Sequence, residues 1–140
     1  MNKKNYIIIG ATILIFIIAI AIILGLGNGT NKNWTTDIIK SQNYQIIMKD
    51  CNGREKTLDN KIINTLSDKW NNLSNNGPWT GDTNTCYTTL TFNYENNGII
   101  NSKEILLIDE TSLTLIVGNN TIYYTNASEV INYLNTLFAA

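Results

Sequence analysis

The segment CYTTLTFNYENNGIINSKEILLIDETSLTLIVGNNTIYYT, from Cys86 to Thr125, is the most informative part of this 140-residue chain. Apolar and polar residues alternate along much of it, which is the pattern of strands that bury one face. The segments ENNG, ETS and GNN interrupt the alternation, and the first of them is a hairpin signal. The stretch therefore predicts four consecutive strands joined by short loops, an antiparallel meander with Thr- and Asn-rich faces toward solvent.

One strand and one helix are predicted upstream of the meander. The strand is NYQIIMKDC, residues 43–51, and an Asn-Gly turn signal follows it. The helix begins at about Asp59, an N-cap residue type, and ends at Leu73 or Ser74. Its apolar residues recur at helical spacing and form one stripe: Ile62, Ile63, Leu66, Trp70 and Leu73.

A second amphipathic helix is predicted in NASEVINYLNTLF at the end of the chain. Asn126 and Glu129 have the spacing of a capping box at its start. The predicted order over residues 42–140 is β-α-β-β-β-β-α. Because both helices must bury their apolar stripes, we expect a small two-layer α+β domain, an antiparallel sheet with the two helices on one face.

The N-terminal part has the pattern of a membrane anchor. Twenty uncharged residues, Ile7–Leu26, would span roughly 30 Å as a helix, the thickness of a bilayer core. Lys3 and Lys4 precede the run, and positive residues favour the cytoplasmic side. The sequence predicts a cytoplasmic N-terminus (1–5), a transmembrane signal anchor (6–27) and an extracytoplasmic remainder in a single-pass cell-membrane protein.

A cleaved signal peptide is the alternative interpretation of the same run, and it would give a small secreted domain released by signal peptidase. Ala19-Ile20-Ala21 has the small-x-small form of a cleavage site but lies inside the apolar run, whereas Gly25-Leu26-Gly27 is better placed. The apolar run is longer than the usual signal-peptide core, which favours the anchor.

Residues 28–41 are interpreted as an extracytoplasmic tether, in which Trp34 could sit at the membrane interface or cap the domain. Asn-x-Ser/Thr sequons mark four candidate glycosylation positions, of which the first two lie in the tether and are the most accessible. These positions are Asn28, Asn33, Asn72 and Asn119. A fifth sequon begins at Asn126, where the predicted helix cap would conflict with a glycan.

Cys51 and Cys86 are the only cysteines of the chain, and both lie in the predicted extracytoplasmic part. That compartment is usually oxidising, and neither a CxxC spacing nor any histidine supports a redox or metal site. A disulfide bond is therefore expected. Closing the loop between the two residues would stabilise a domain of this size by roughly 3–4 kcal/mol.

The composition argues against most kinds of chemistry. The chain has no histidine, so schemes that use imidazole as base, nucleophile or metal ligand are excluded, and no catalytic motif, metal site or cofactor loop is present. Of the 10 basic residues, two precede the apolar run, which leaves eight against eleven acidic residues and a net charge of about −3. Because the basic residues are scattered, nucleic acid is not an expected partner. A non-enzymatic protein is predicted.

The polar loop from Asn75 to Thr85 is the one candidate recognition site. It contains the only proline and carries Trp79, and an aromatic side chain on a rigid loop is a common device for recognising a glycan or a protein. The alternative is that Trp79 folds back over the end of the preceding helix and fills a gap.

The run from YQIIMKD through the helix to KEILLIDETSLTLIVGNNTIYYTNASEVINYLNTL resembles small extracytoplasmic domain-of-unknown-function families of AT-rich Gram-positive bacteria. The resemblance rests on the strand-helix-meander-helix order over about a hundred residues. It implies the fold and an anchored, extracytoplasmic location, and it assigns no chemistry. A pilin-like filament subunit is a further alternative, although NKKNYIIIGATILIF lacks a fitting processing site and an early acidic residue.

Overall fold

The computed structural model describes residues 34–41, 43–82 and 84–140. Three helices occur there: α1 (Thr36–Ile39), α2 (Ile62–Trp70) and α3 (Ser128–Ala139). The seven strands are β1 (Tyr44–Lys49), β2 (Glu55–Leu58), β3 (Ser74–Pro78), β4 (Thr88–Asn96), β5 (Ile99–Leu107), β6 (Leu113–Val117) and β7 (Asn120–Thr125). They form one antiparallel sheet in the order β2-β1-β4-β5-β6-β7-β3, so the α+β class is confirmed.

The predicted anchor, residues 6–27, lies outside the described residues. Within the described part of the chain, no helix is both long and apolar enough to cross a membrane.

The predicted meander is present as β4 to β7. Its register places Leu90 beside Ile105, Ile105 beside Leu115, and Leu115 beside Ile122, so one row of apolar side chains crosses the four strands on a single face. We call this the inner face. Both long helices cover it: on α2 the predicted stripe is buried, and on α3 Val130, Ile131 and Leu134 are buried. The core therefore lies between the sheet and the two helices.

Two edge strands were not predicted. β2 pairs with β1 and contains Glu55, Lys56 and Thr57, and a four-residue segment this polar has no apolar period. β3 pairs with β7 through an irregular register between Asn75 and Pro78, within the segment predicted as loop. Its proline ends an edge strand, where the missing N–H leaves no ladder bond unmade.

The predicted tether boundary is wrong for its described part, residues 34–41. Trp34 is 5% exposed and Ile38 is fully buried. The indole of Trp34 packs edge-on against the rings of Trp70 and Phe92, with centroid distances of 4.9 and 5.2 Å. The domain thus begins at Trp34 or earlier, because these apolar side chains complete the core.

The predicted capping box is also wrong. Asn126 adopts a left-handed backbone conformation with φ of 58°, and its side-chain amide donates to the carbonyl oxygen of Asn72 at 2.9 Å. Glu129 accepts from Lys69 at 2.9 Å and from the side-chain amide of Asn72 at 3.3 Å. Both residues therefore join the start of α3 to the end of α2.

The chain crosses the sheet twice between β2 and β4. Because β2 and β3 occupy opposite edges, α2, which connects them, runs across the inner face from one edge to the other. Near its start, the hydroxyl of Tyr44 on β1 donates to Asn60, and at its end Trp70 contacts Tyr124 on β7. The connection from β3 to β4 then returns over the opposite, outer face.

A cleft on the outer face of the sheet

The outer face carries the side chains that alternate with the core residues. Cross-strand pairing aligns Thr91, Glu104, Ile116 and Thr121 in one row across β4 to β7. In the neighbouring row Thr89 lies beside Leu106. The expected Thr-rich face is therefore present, but aliphatic side chains lie between the hydroxyl groups.

The connection between β3 and β4 forms the wall of a cleft of about 530 Å³ above this surface. The floor consists of outer-face residues of four strands: Thr89, Glu104, Leu106, Ile116 and Thr121. The wall consists of residues of the connection: Trp79, Gly81, Thr85, Cys86 and Tyr87. The predicted recognition residue is thus brought together with side chains 10 to 42 positions later in the sequence.

Trp79 is half-buried and is held from three sides. Its backbone N–H donates to the carbonyl oxygen of Thr121 at 3.3 Å, which extends the β3–β7 pairing by one residue. The ring of Tyr87 meets the indole edge-on, with centroids 5.9 Å apart. Gly81 lies against the indole so closely that a Cβ atom at this position would overlap the ring. The indole therefore lies on the outer face, and the alternative of packing over the end of α2 is not what the structure has.

Local hydrogen bonds shape the wall. The Asp82 carboxylate accepts from the backbone N–H of Asn84 at 2.8 Å and from the hydroxyl of Thr85 at 3.1 Å. At the end of the wall, Cys86 is bonded to Cys51 in the β1–β2 turn, with 5.8 Å between their Cα atoms. The predicted disulfide bond is confirmed, and it anchors the wall to the neighbouring strand pair.

The cleft offers ring faces, aliphatic carbons, hydroxyl groups and one carboxylate. Glu104 supplies the carboxylate and accepts from the hydroxyl of Thr91 at 3.4 Å. Such a surface can bind a ligand that has both an apolar face and several hydroxyl or amide groups. Among the described residues, no cluster of three or more Cys, Asp or Glu side chains could hold a metal ion.

A second, more polar depression of about 580 Å³ lies between the β5–β6 turn and α3. Asp109 in that turn accepts from the backbone N–H of Thr111 at 2.8 Å. This bond, with further bonds from Ser112 and the Thr111 hydroxyl, holds the pKa of the Asp109 carboxyl below its usual value. The carboxylate is thus satisfied within its own turn, and the adjacent Glu110 is exposed, so the pair is not arranged as an acid and a base.

The sequons have different surroundings. Asn119 is exposed in the β6–β7 turn, and Asn72 is exposed but donates to Glu129. Asn28 and Asn33 lie outside the described residues. Trp34 and Thr35, which complete the sequon of Asn33, are both buried, at 5% and 2% exposure.

No protein family model, no curated protein and no solved structure matches this chain.

Sequence reasoning identified Trp79 and Cys86 but missed the rest of the cleft. A signal for the floor existed in β5 and β6, where the alternation fails and residues 105–107 and 115–117 are consecutive apolar runs. A strand with apolar residues on both faces is typical of a sheet that is covered twice. The side chains Leu106 and Ile116, which face outward, are the residues that this signal would have found.

Proposed function

We propose that this protein is a non-enzymatic binding module, anchored to the membrane by residues 6–27, whose outer-face cleft binds a neutral glycan in the extracytoplasmic space. The observation that carries the proposal is the indole of Trp79, held at the wall of the cleft above aliphatic and hydroxyl side chains. The resemblance to small extracytoplasmic domains supports the location but assigns no ligand.

Two features support an extracytoplasmic location. The first is the charge asymmetry of Lys3 and Lys4 ahead of the apolar run. The second is the bond between Cys51 and Cys86, since disulfide bonds persist in oxidising compartments. Protease added to intact cells should remove the domain and leave a small membrane-embedded fragment. Protection of the domain until the membrane is broken would refute this orientation.

A glycan fits the cleft better than an ionic ligand does. Sugar rings present an apolar C–H face, which packs on aromatic rings such as that of Trp79, and a rim of hydroxyl groups. Thr89, Thr121 and Glu104 on the floor provide hydrogen-bonding partners for such a rim. Among the described residues that line the cleft, the one charged side chain, Glu104, is negative, so anionic ligands are disfavoured.

The test is binding of the full-length protein, in detergent or nanodiscs, to an array of neutral oligosaccharides, followed by calorimetric titration of the best hit. Trp79→Ala should weaken binding at least tenfold. Gly81→Ala should do the same, because the added methyl group overlaps the indole and displaces it.

Tyr123→Ala is the matched control, because Tyr123 is a half-buried aromatic on the outward-facing side of β7 and does not line the cleft. It should leave the affinity within about twofold. Unchanged affinity in Trp79→Ala, or no binding to any neutral glycan, would contradict the proposal.

A further inference from the structure

The hairpin of β4 and β5 projects beyond the rest of the sheet. On one side, the pairing of β4 with β1 stops at Tyr94, opposite Tyr44. On the other side, the pairing of β5 with β6 stops at Lys103, opposite Val117. Apart from one backbone hydrogen bond from Glu95 to Asn43, the residues between Tyr94 and Lys103 pair with each other, as a two-stranded extension whose turn is Asn97-Gly98.

The tip of this extension is apolar. Ile99 is 64% exposed and Ile100 is 78% exposed. In the described part of the chain, large apolar side chains are exposed at one other position, Ile39, at 45%. Surface isoleucines are ordinary when they are scattered, but these two are consecutive on β5 at the end of a protruding hairpin. Their side chains point to opposite faces of the hairpin, so an end-on insertion of the tip brings both into an apolar layer.

Ile100 lies close to the point where the N-terminal segment enters the sheet. The backbone N–H of Glu95 donates to the carbonyl oxygen of Asn43 at 3.1 Å, and Glu95 pairs with Ile100. Ile39 ends α1, four residues before Asn43. The chain therefore passes the hairpin as it joins β1.

The length of the chain that precedes the domain brings a bilayer within reach of this end. Only residues 28–33 separate the predicted anchor from Trp34. A fully extended chain spans at most about 3.3–3.6 Å per residue, so the segment that connects the predicted anchor to Trp34 is no longer than about 25 Å. A hairpin tip tethered this close to the bilayer has a high effective concentration at the bilayer surface, so even weak apolar contacts between the two can form.

We propose that Ile99 and Ile100 insert into the outer surface of the same bilayer that holds the anchor. This inference rests on the anchor of the proposed function and goes beyond it, because it gives the domain a second membrane contact and a defined orientation. Asn96, Asn97 and Asn101, which flank the tip, are uncharged amides, and Glu95, opposite Ile100, is the one charged side chain next to the two isoleucines, so few charges have to leave water.

The test uses the full-length protein reconstituted into liposomes that contain nitroxide-labelled lipid, with the native disulfide kept oxidised. An environment-sensitive fluorophore is placed on Asn96→Cys, beside the tip, so that both isoleucines stay in place. The matched probe is on Glu110→Cys in the turn at the other end of β5, about 30 Å away at the rise of a strand. Flotation of the vesicles reports the anchor separately.

We expect the Asn96 probe to be quenched at least threefold more than the Glu110 probe. We also expect the double substitution Ile99→Ser and Ile100→Ser to lower the quenching of the Asn96 probe to that of the Glu110 probe. Protein that floats with the vesicles while both probes are quenched equally would overturn the inference and leave the anchor standing. Protein that does not float would overturn both.

Discussion

The side-chain amine of Lys103 donates a hydrogen bond of 2.7 Å to the main-chain carbonyl oxygen of Trp34, 69 residues earlier in the chain. The Lys103 side chain is only 5% exposed. Its amine also lies 3.6 Å from the carboxylate of Asp37, which is exposed. Burial lowers the pKa of Lys103, and the nearby Asp37 opposes this effect. One side chain thus fastens the N-terminal segment to the middle strand of the sheet.

Lys103→Met should lower the free energy of unfolding by about 1–3 kcal/mol, because the carbonyl oxygen of Trp34 would be left without its donor in a buried position. Denaturation in guanidinium chloride measures the change. Lys49→Met is the control, since Lys49 is exposed on the outer face, and it should be nearly neutral. Equal stability of the Lys103 variant and the native protein would show that the hydrogen bond does not fasten this segment.

Replacement of Cys51 and Cys86 together by serine should lower stability by about 3–4 kcal/mol, because the unfolded chain regains the freedom of a loop with a sequence separation of 35. Denaturation with and without reductant measures the effect, and reductant should not affect the double variant. Mass analysis of exported protein should find no thiol that can be alkylated. Two reactive thiols would contradict the bond.

Trp70 in α2 and Trp79 in the cleft should lose different amounts of stability when each is replaced by alanine. Trp70 is fully buried between the rings of Trp34 and Tyr124, so Trp70→Ala should cost about 3–5 kcal/mol. Trp79 is half-buried, so Trp79→Ala should cost about 1 kcal/mol. Thermal melts of both variants provide the comparison. A loss at Trp79 as large as that at Trp70 would assign the indole to packing and remove the basis for a binding cleft.

The lowered pKa of Asp109 predicts how the stability of the protein changes at low pH. The N–H of Thr111 holds the folded-state pKa of this carboxyl below the ordinary value of 3.8, so the unfolded chain binds its proton first as pH falls. The resulting stabilisation is present above pH 3.8 and is lost as pH falls through the folded-state pKa. Asp109→Asn should therefore be less stable than the native protein at neutral pH, by less than about 1 kcal/mol because water screens the site. Urea denaturation as a function of pH should show this difference shrinking below pH 4, whereas a constant difference would argue against the assignment.

Strands and helices whose apolar residues recur at a regular spacing could be predicted from the sequence. The two edge strands, which form because they pair with a neighbouring strand, could not. β4 lies where the alternation of Leu90, Phe92 and Tyr94 with polar residues placed it, and the stripe from Ile62 to Trp70 is buried as the helical spacing requires. Glu55–Leu58 and Ser74–Pro78 carry no such period. They are strands because a neighbouring edge offers hydrogen bonds, which is a property of the folded sheet.

In the candidate site, too, some residues could be predicted from the sequence and others could not. Trp79 stands out in the sequence because a glycine, the proline and further polar residues surround it. Its relation to Leu106 and Ile116 depends on the strand order, which brings β3 to the far edge and sends the next segment back across the outer face. The burial of Trp34 likewise depends on residues far away in the sequence, because its indole packs against Trp70 and Phe92 and its carbonyl oxygen accepts from Lys103.

The path of the chain from Cys51 to Cys86 has a topological consequence. This segment follows one edge of the sheet as β2, crosses the inner face as α2, follows the other edge as β3 and returns over the outer face. Once the sulfur atoms are joined, it is a closed covalent loop with β5, β6 and β7 threaded through it. All three strands come later in the chain than Cys86. They must pair before oxidation closes the loop, or pass through it afterwards, so the timing of oxidation bears on whether the domain can reach its fold.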